Sequence, residues 1–278
     1  MELNEARHLD YAEQEMRLAE TGYELPIVDD RFFDLILKFN LFPALYVHPE
    51  QISALDALPA DVLPADVLQD DGLLSASGND WNPYWLRCLS DALLRSSRLE
   101  QHYDFDFSVR EKRLMLLDAS ALIPLGQHVA AILVQPYLRK VVLGERVREI
   151  EQVMGAACRE FGLRWVARQD AALAQVAAAL QGLGDAGIEA LGTEEDWRQF
   201  VFRLILSTLS ESDIAVRGRL KLKFPPALQH VKSFRLQEGK RNLLVTLFFD
   251  VLKKTFPAWH DQVAIELPGE LHARTDSD

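Results

Sequence analysis

The sequence predicts a mainly α, compact multi-helix protein with room for one small strand pair. Three observations lead there. Apolar residues recur at helical spacing in several separate segments, and strict alternation is confined to one short stretch. The 278 residues are 49% hydrophobic and 26% charged, a composition that supports a folded core. A chain of this length buries roughly three quarters of the surface its unfolded form exposes. Cys88 and Cys158 have no Cys or His neighbour at ligand spacing, so they read as small core residues in a reducing compartment. The first residues, Met1 to Arg7, lack a basic n-region and an apolar run, so the expectation is a cytoplasmic protein without a secretory signal.

Taken in order, Asp29-Asp30 ahead of Arg31-Phe32-Phe33-Asp34-Leu35-Ile36-Leu37-Lys38-Phe39 predicts a capped, short apolar helix that Pro43 limits. Pro49, Pro59 and Pro64 follow, with Pro-Ala-Asp-Val-Leu repeated at 59–63 and 64–68, a local duplication in a connecting segment that 70–72 and 75–79 extend. Ala119 to Leu138 carry no formal charge over 20 residues, the length of a membrane span. Pro124 and Pro136 would break such a helix and Gln127, His128 and Gln135 are costly in hydrocarbon, so the segment reads as a buried helix pair in a water-soluble core. From Arg139 to Ala167, Leu143, Val147, Ile150, Met154, Ala157 and Phe161 fall on one helical face, and Trp165 continues the seam. Gly155 and Gly162 favour packing within the chain over a coiled coil with a partner.

Asp170 to Leu183 read as an alanine-rich helix ended by the glycines at 182, 184 and 187. Thr193 and Asp196 form a capping-box pattern that opens a helix burying Trp197, Val201, Leu204 and Thr208. Val216 to Phe224 then alternate strictly. Extended, that stretch puts Arg217, Arg219, Lys221 and Lys223 on one side; helical, it scatters them around the axis, and Pro225-Pro226 stops either form. A last amphipathic helix runs from about Lys240 to Thr255 on Leu243, Leu244, Leu247, Phe248, Val251 and Leu252.

Charge is segregated. Residues 1–103 hold 19 acids and 7 bases, whereas 198–254 hold 4 acids and 12 bases in a chain of net charge −12. A basic segment on an acidic protein faces an acidic partner or a phospholipid surface, or pairs internally with the chain's own acids. The segment lacks interleaved aromatics, and a pI of about 5.1 argues against nucleic acid. Gly182-Leu183-Gly184-Asp185-Ala186-Gly187 spells G-x-G-x-x-G, but a helix, not a strand, precedes it, so no nucleotide site is expected. The seven histidines are never within five residues of one another, and Asp104-Phe105-Asp106-Phe107 reads as a half-exposed strand or loop rather than a cation site. With no Walker lysine motif and no G-x-S-x-G elbow, no cofactor, metal or catalytic residue is assigned.

Phe39-Asn40-Leu41-Phe42-Pro43-Ala44-Leu45-Tyr46-Val47-His48-Pro49, Arg113 to Asp118, Leu138 to Gly144 and the basic stretch Arg217 to Pro225 together resemble the SctK family, the YscK-like proteins of bacterial type III secretion. The resemblance spans about residues 39–225. It implies 1–28 as an N-terminal extension, 29–227 as the helical SctK-like domain and 228–278 as a C-terminal helical extension and tail. It also implies a non-enzymatic, cytoplasmic adaptor of the sorting platform that links the cytoplasmic domain of the inner-membrane ring protein to the pod protein, and through it to the stator and export ATPase. Arg217, Arg219, Lys221 and Lys223 are then expected at one docking surface. Tyr46 and His48 lie in the matched loop, where the alternative is structural: a turn tyrosine packed on the core and a histidine ahead of Pro49. Two other classes stay open: a peripheral binder of a membrane surface or acidic partner through 198–254, and a helical enzyme with a long-range site.

Overall fold

In the computed structural model, which describes residues 30–53, 55, 83–165, 176 and 192–264, every regular element among those residues is a helix. Asp34–Ile265 form one compact unit. The duplicated Pro-Ala-Asp-Val-Leu, the loop over 70–79, the helix expected over 170–183 apart from Val176, and the glycines at 182, 184 and 187 lie outside the described residues, as does Asp29.

Helix α1, Asp30–Leu41, buries Ile36, Phe39 and Asn40 and keeps the Asp34–Lys38 ion pair of 2.7 Å in solvent. It ends where predicted, because Pro43 starts a separate 3-10 turn, Pro43–Leu45. Helix α2, Pro49–Ser53, and helix α3, Pro83–Ser96, pack with that turn into a hydrophobic cluster of Ala44, Val47, Ile52, Leu89, Leu93, Leu94 and Leu99. A loop over 101–109 leads to the single turn α4, Arg110–Arg113, and the 3-10 turn Leu114–Leu116. The Asp104-Phe105-Asp106-Phe107 segment is loop, with Phe107 buried and both carboxylates turning back onto nearby backbone amides.

The uncharged segment is the hub of the fold. It forms α5, Ala119–Leu133, and the short α6, Gln135–Leu138, with the break at Val134 ahead of Pro136. Leu122, Leu125, Val129, Ala130 and Ala131 of α5 are fully buried, because three helices cover it: α8, Ala156–Arg164; α9, Glu194–Ser207; and α11, Glu238–Thr255. A helix apolar on all sides is stable in water only inside such a sheath. Among the described residues no helix is long and apolar enough to cross a membrane.

The seam predicted over 139–167 is corrected at Gly155. Two helices, α7, Gly144–Met154, and α8, meet there with Gly155 at φ 85°, ψ 141°. A positive φ suits glycine alone, and the extended ψ ends one helix and restarts the next. The buried face therefore continues as Ile150, Met154, Cys158 and Gly162, while Leu143 and Ala157 are exposed. The break lets α8 lie close on α5, since a Cβ at Gly162 would stand 2.7 Å from the Ala131 carbonyl oxygen. Gln135 holds the same crossing, its amide donating to Gly162 O at 2.6 Å and Trp165 O at 3.0 Å. Gly162→Ala has the Ala131 backbone and its rigid Cβ to push against and is expected to destabilise the protein by about 1–3 kcal/mol. A thermal unfolding midpoint unmoved by this substitution would refute the close crossing.

The N-cap half of the capping box forms as read, while the Asp196 carboxylate takes the Thr193 hydroxyl instead of its backbone amide. Thr193 Oγ1 accepts the Asp196 amide at 3.1 Å and donates to the Asp196 carboxylate at 2.5 Å. Trp197, Val201, Leu204 and Thr208 are all buried. The alternating stretch, in contrast, is helix: α10, Ile214–Leu222. The strand pair for which the sequence left room is absent among the described residues. After a 3-10 turn at Pro226–Leu228, α11 buries Leu244, Leu247, Phe248, Val251 and Leu252 against α5, and α12, Pro257–Val263, folds back on it.

Candidate functional site

Helix α10 carries Arg217, Arg219 and Lys221, with Lys223 at its C-cap, and the helical geometry sorts the four bases. At 100° per residue, positions four apart share a face and positions two apart lie nearly opposite. Arg219 and Lys223 are buried, at 0% and 1% exposure, while Arg217 and Lys221 are half-buried on the other side. The single-sided row of four that an extended chain would present is replaced by two pairs with different jobs.

The inward pair bonds to main-chain carbonyls. Arg219 Nε donates to Asn40 O at 3.1 Å, and its Nη1 donates to His102 O at 2.5 Å and Ala215 O at 3.3 Å. The guanidinium also lies 5.2 Å from the Tyr103 ring centre, and Tyr103 stacks on Phe105. Lys223 Nζ, just past the end of α10, donates to Met115 O at 2.7 Å and Leu117 O at 2.5 Å. These are the carbonyls at the end of a 3-10 turn, which lack partners of their own, and a cation is a favourable cap there. The ammonium sits 4.9 Å from the Tyr46 ring centre and 5.3 Å from that of Phe39. Burial pushes the Lys223 amine down to about 7, lowers Arg219, and raises the Tyr46 phenol above its ordinary range.

Two distant stretches that the sequence singled out thus meet at α10. Tyr46 donates its hydroxyl to Phe39 O at 2.6 Å, stacks on the Phe39 ring and packs over Lys223. His48 donates its backbone N–H to Leu222 O at 2.8 Å, and its Nδ1 accepts the Glu50 amide at 3.3 Å at the start of α2. Both are therefore bracing residues for α10. Internal pairing of the basic segment occurs, but mainly with carbonyl oxygens where the sequence suggested acids. Arg113 and Arg203 follow the same rule, donating to Phe107 O at 2.8 Å and Lys232 O at 3.1 Å.

The outward pair edges an open groove of about 750 Å³ between α3, α10 and the Pro226–Leu228 turn. That volume is within the roughly 300–1,000 Å³ of ligand-binding clefts. Among the described residues its basic lining is Arg98, Arg217 and Lys221, against one acid, Glu211. Leu55, Leu99, Leu222 and the 63% exposed Ile214 supply apolar wall. Arg217 Nη1 is held by the carbonyls of Leu206 and Leu209 at 3.1 and 3.2 Å, at the end of α9, and its Nη2 by Ser233 Oγ at 3.0 Å. Lys221 donates to Gln229 O at 2.8 Å, and Gln229 in turn bonds the buried Gln51, which reaches Phe224 O at 2.7 Å. Desolvation lowers the pKa of both Arg217 and Lys221, so these are cations fixed in place rather than waving in solvent.

Arg98 is the residue that sequence reasoning missed. It follows α3 at φ 56°, the left-handed conformation. Leu99 N bonds Leu94 O at 2.7 Å and Arg98 N bonds Arg95 O at 3.0 Å, the paired bonds of a Schellman cap, whose left-handed position is usually glycine. An arginine there costs about 1 kcal/mol relative to glycine. Nothing in Ser96-Ser97-Arg98-Leu99 announces the cap, because the glycine that normally marks it is missing.

Among the described residues there is no group of three or more His, Cys, Asp or Glu placed to hold a metal ion. Fold and site define an all-helical domain with cations locked on loop carbonyls and a basic, half-apolar groove beside them. The model of one family, YOP proteins translocation protein K (YscK), matches residues 36–260, and the chain belongs to that family, which makes it a type III secretion protein. The match takes in α10, its bracing loop and also α11, beyond the span over which the motifs were recognised. No curated protein and no solved structure matches the chain.

Proposed function

We propose that this protein is a non-enzymatic, cytoplasmic adaptor of the type III secretion sorting platform, joining the cytoplasmic domain of the inner-membrane ring protein to the pod protein. The observation that carries the reading is the family match over residues 36–260. Charge segregation supports it: an adaptor needs two unlike faces, and this chain has an acidic first hundred residues, a basic 198–254 segment, and a groove edged by Arg217 and Lys221 of that segment together with Arg98. Among the four bases expected at a docking surface, Arg217 and Lys221 stand at the groove, and Arg219 and Lys223 act behind it by fixing α10. Through the pod protein the adaptor would connect to the stator and export ATPase.

The test is size-exclusion chromatography with light scattering on the purified chain, alone and mixed with the pod protein and the ring protein's cytoplasmic domain from the same genome. A defined binary or ternary complex is expected at micromolar concentration. A folded chain that elutes alone in every mixture would overturn the adaptor reading. Sedimentation with anionic vesicles, in parallel, would then decide for the membrane-surface alternative.

A further inference from the structure

We infer that the groove between α3 and α10 is a docking site for an acidic, amphipathic peptide segment of a protein partner, with Arg98 as its specificity-determining cation. The inference rests on the adaptor reading only for the partner's identity; the chemistry follows from the groove itself.

Charge complementarity selects the occupant. In a chain of net charge −12, the groove gathers Arg98, Arg217 and Lys221 against one acid, Glu211, among the described residues that line it, with Asp213 also acting on Arg217 from its side. None of the three cations pairs with a carboxylate within 4 Å among the described residues. Arg217 and Lys221 are pre-positioned by carbonyl bonds, so a ligand carboxylate meets charges whose rotamers are already fixed. The apolar wall of Leu55, Leu99, Leu222 and Ile214 gives a free inorganic anion nothing to bind, whereas a peptide with leucines between its acids uses both surfaces. Gly218 lies between the two cations on α10, and a Cβ there would come 2.5 Å from a Leu99 methyl, so α10 and the end of α3 form one continuous wall.

Arg98 supplies the functional signal independent of charge counting. A glycine would fit its left-handed position without strain, yet a long cation stands there at the groove edge, exposed. A residue kept for the fold would stabilise it; this one does the reverse. Arg98→Gly therefore separates the two roles, raising the unfolding midpoint by about 2 °C while weakening the groove.

The experiment uses the full chain and a fluorescein-labelled peptide of alternating glutamates and leucines, with a lysine-for-glutamate counterpart, read by anisotropy. The acidic peptide should bind, and its affinity should fall about tenfold in Arg98→Gly and in Lys221→Glu, and on raising salt from about 50 to about 500 mM. Equal binding of the lysine peptide, no binding of either, or affinity unchanged by both substitutions would each overturn the proposal. Full displacement by millimolar inorganic phosphate would also overturn it, by showing an anion site without a peptide. Failure of the adaptor reading is visible separately. Wild-type chain that binds the peptide but neither platform protein keeps the groove and loses the adaptor, while Arg98→Gly protein that keeps its platform complexes at full affinity keeps the adaptor and loses the groove.

Discussion

Arg219→Ala is expected to destabilise the protein by about 3–5 kcal/mol, a large share of the roughly 5–15 kcal/mol that holds a domain together. The estimate follows from what the guanidinium touches. Its three bonds reach Asn40 on α1, His102 in the loop over 101–109, and Ala215 one turn back on α10. A hydrogen bond to a charged group is worth about 1.5–3 kcal/mol, and its loss leaves the buried Asn40 carbonyl without its guanidinium donor, while Ala215 O keeps its bond within the helix. Around it, Asn40 donates to Asp104 O at 2.7 Å and accepts the Asp104 amide at 3.1 Å, so the loop is pinned from two sides. Arg219→Lys keeps the charge and loses the fork, and should recover less than half of the stability. The measurement is urea denaturation followed by tryptophan fluorescence, to which the core residue Trp197, 1% exposed, contributes alongside the other four tryptophans. An Arg219→Ala midpoint close to wild type would mean that the carbonyls find water instead, and the claim that α10 is anchored from within would fall. With an ordinary salt-bridge arginine on the surface the same experiment would show about 1 kcal/mol or less.

The ease with which parts of this fold were read from sequence follows the range of the interactions. Thr193 and Asp196 satisfy each other three residues apart, and α11 advertises its buried face through apolar residues repeating within eighteen positions, so both were legible. The uncharged segment over 119–138 was legible as a buried helix pair, with its break ahead of Pro136, but Pro124, expected to break the helix as well, is carried inside α5 without interrupting it. The 139–167 seam failed at Gly155, since apolar spacing carries no information about a backbone that turns to positive φ and restarts. The four bases of α10 failed for a deeper reason. Alternation over nine residues fits a strand, but Arg219 finds its acceptor 117 positions away and Lys223 finds its own 108 and 106 away. Those acceptors are backbone carbonyls, which every residue possesses, so no residue type in the sequence marks them. Charge counting led instead toward acids as partners. Tyr46 and His48 were found by motif order, and their place beside α10 became visible only when the chain was folded.

Lys223 should make the protein more stable as pH rises from 7 toward 9, the opposite of the trend expected from an ordinary buried acid. The amine is pushed down to about 7 by burial, whereas in the unfolded chain it titrates near 10.4. Below about 7 it is charged in both states and the full desolvation penalty is present. Above 7 the folded protein releases a proton that the unfolded chain still holds, so the unfolded state binds more protons and unfolding becomes less favourable, by up to about 1.4 kcal/mol per pH unit. The neutral amine loses nothing by this, because its two N–H groups match the two acceptors, Met115 O and Leu117 O. Above about 9 the trend is opposed: burial pushes the Cys158 thiol up to about 12 and raises the Tyr46 phenol, so the unfolded chain ionises these first and gains stability relative to the fold. Stability should therefore climb from pH 7, flatten and fall. Lys223→Met removes the titrating group and should abolish the climb while leaving the alkaline fall. It also strands two buried carbonyls, so its stability at pH 9 should lie below wild type by about 1–3 kcal/mol. Unfolding free energies for the two proteins, measured from pH 6.5 to 9 in steps, give the answer as a difference curve in which all other groups cancel. Parallel curves would show that the lysine keeps its proton throughout, held by the carbonyls and the faces of Phe39 and Tyr46 against the cost of burial.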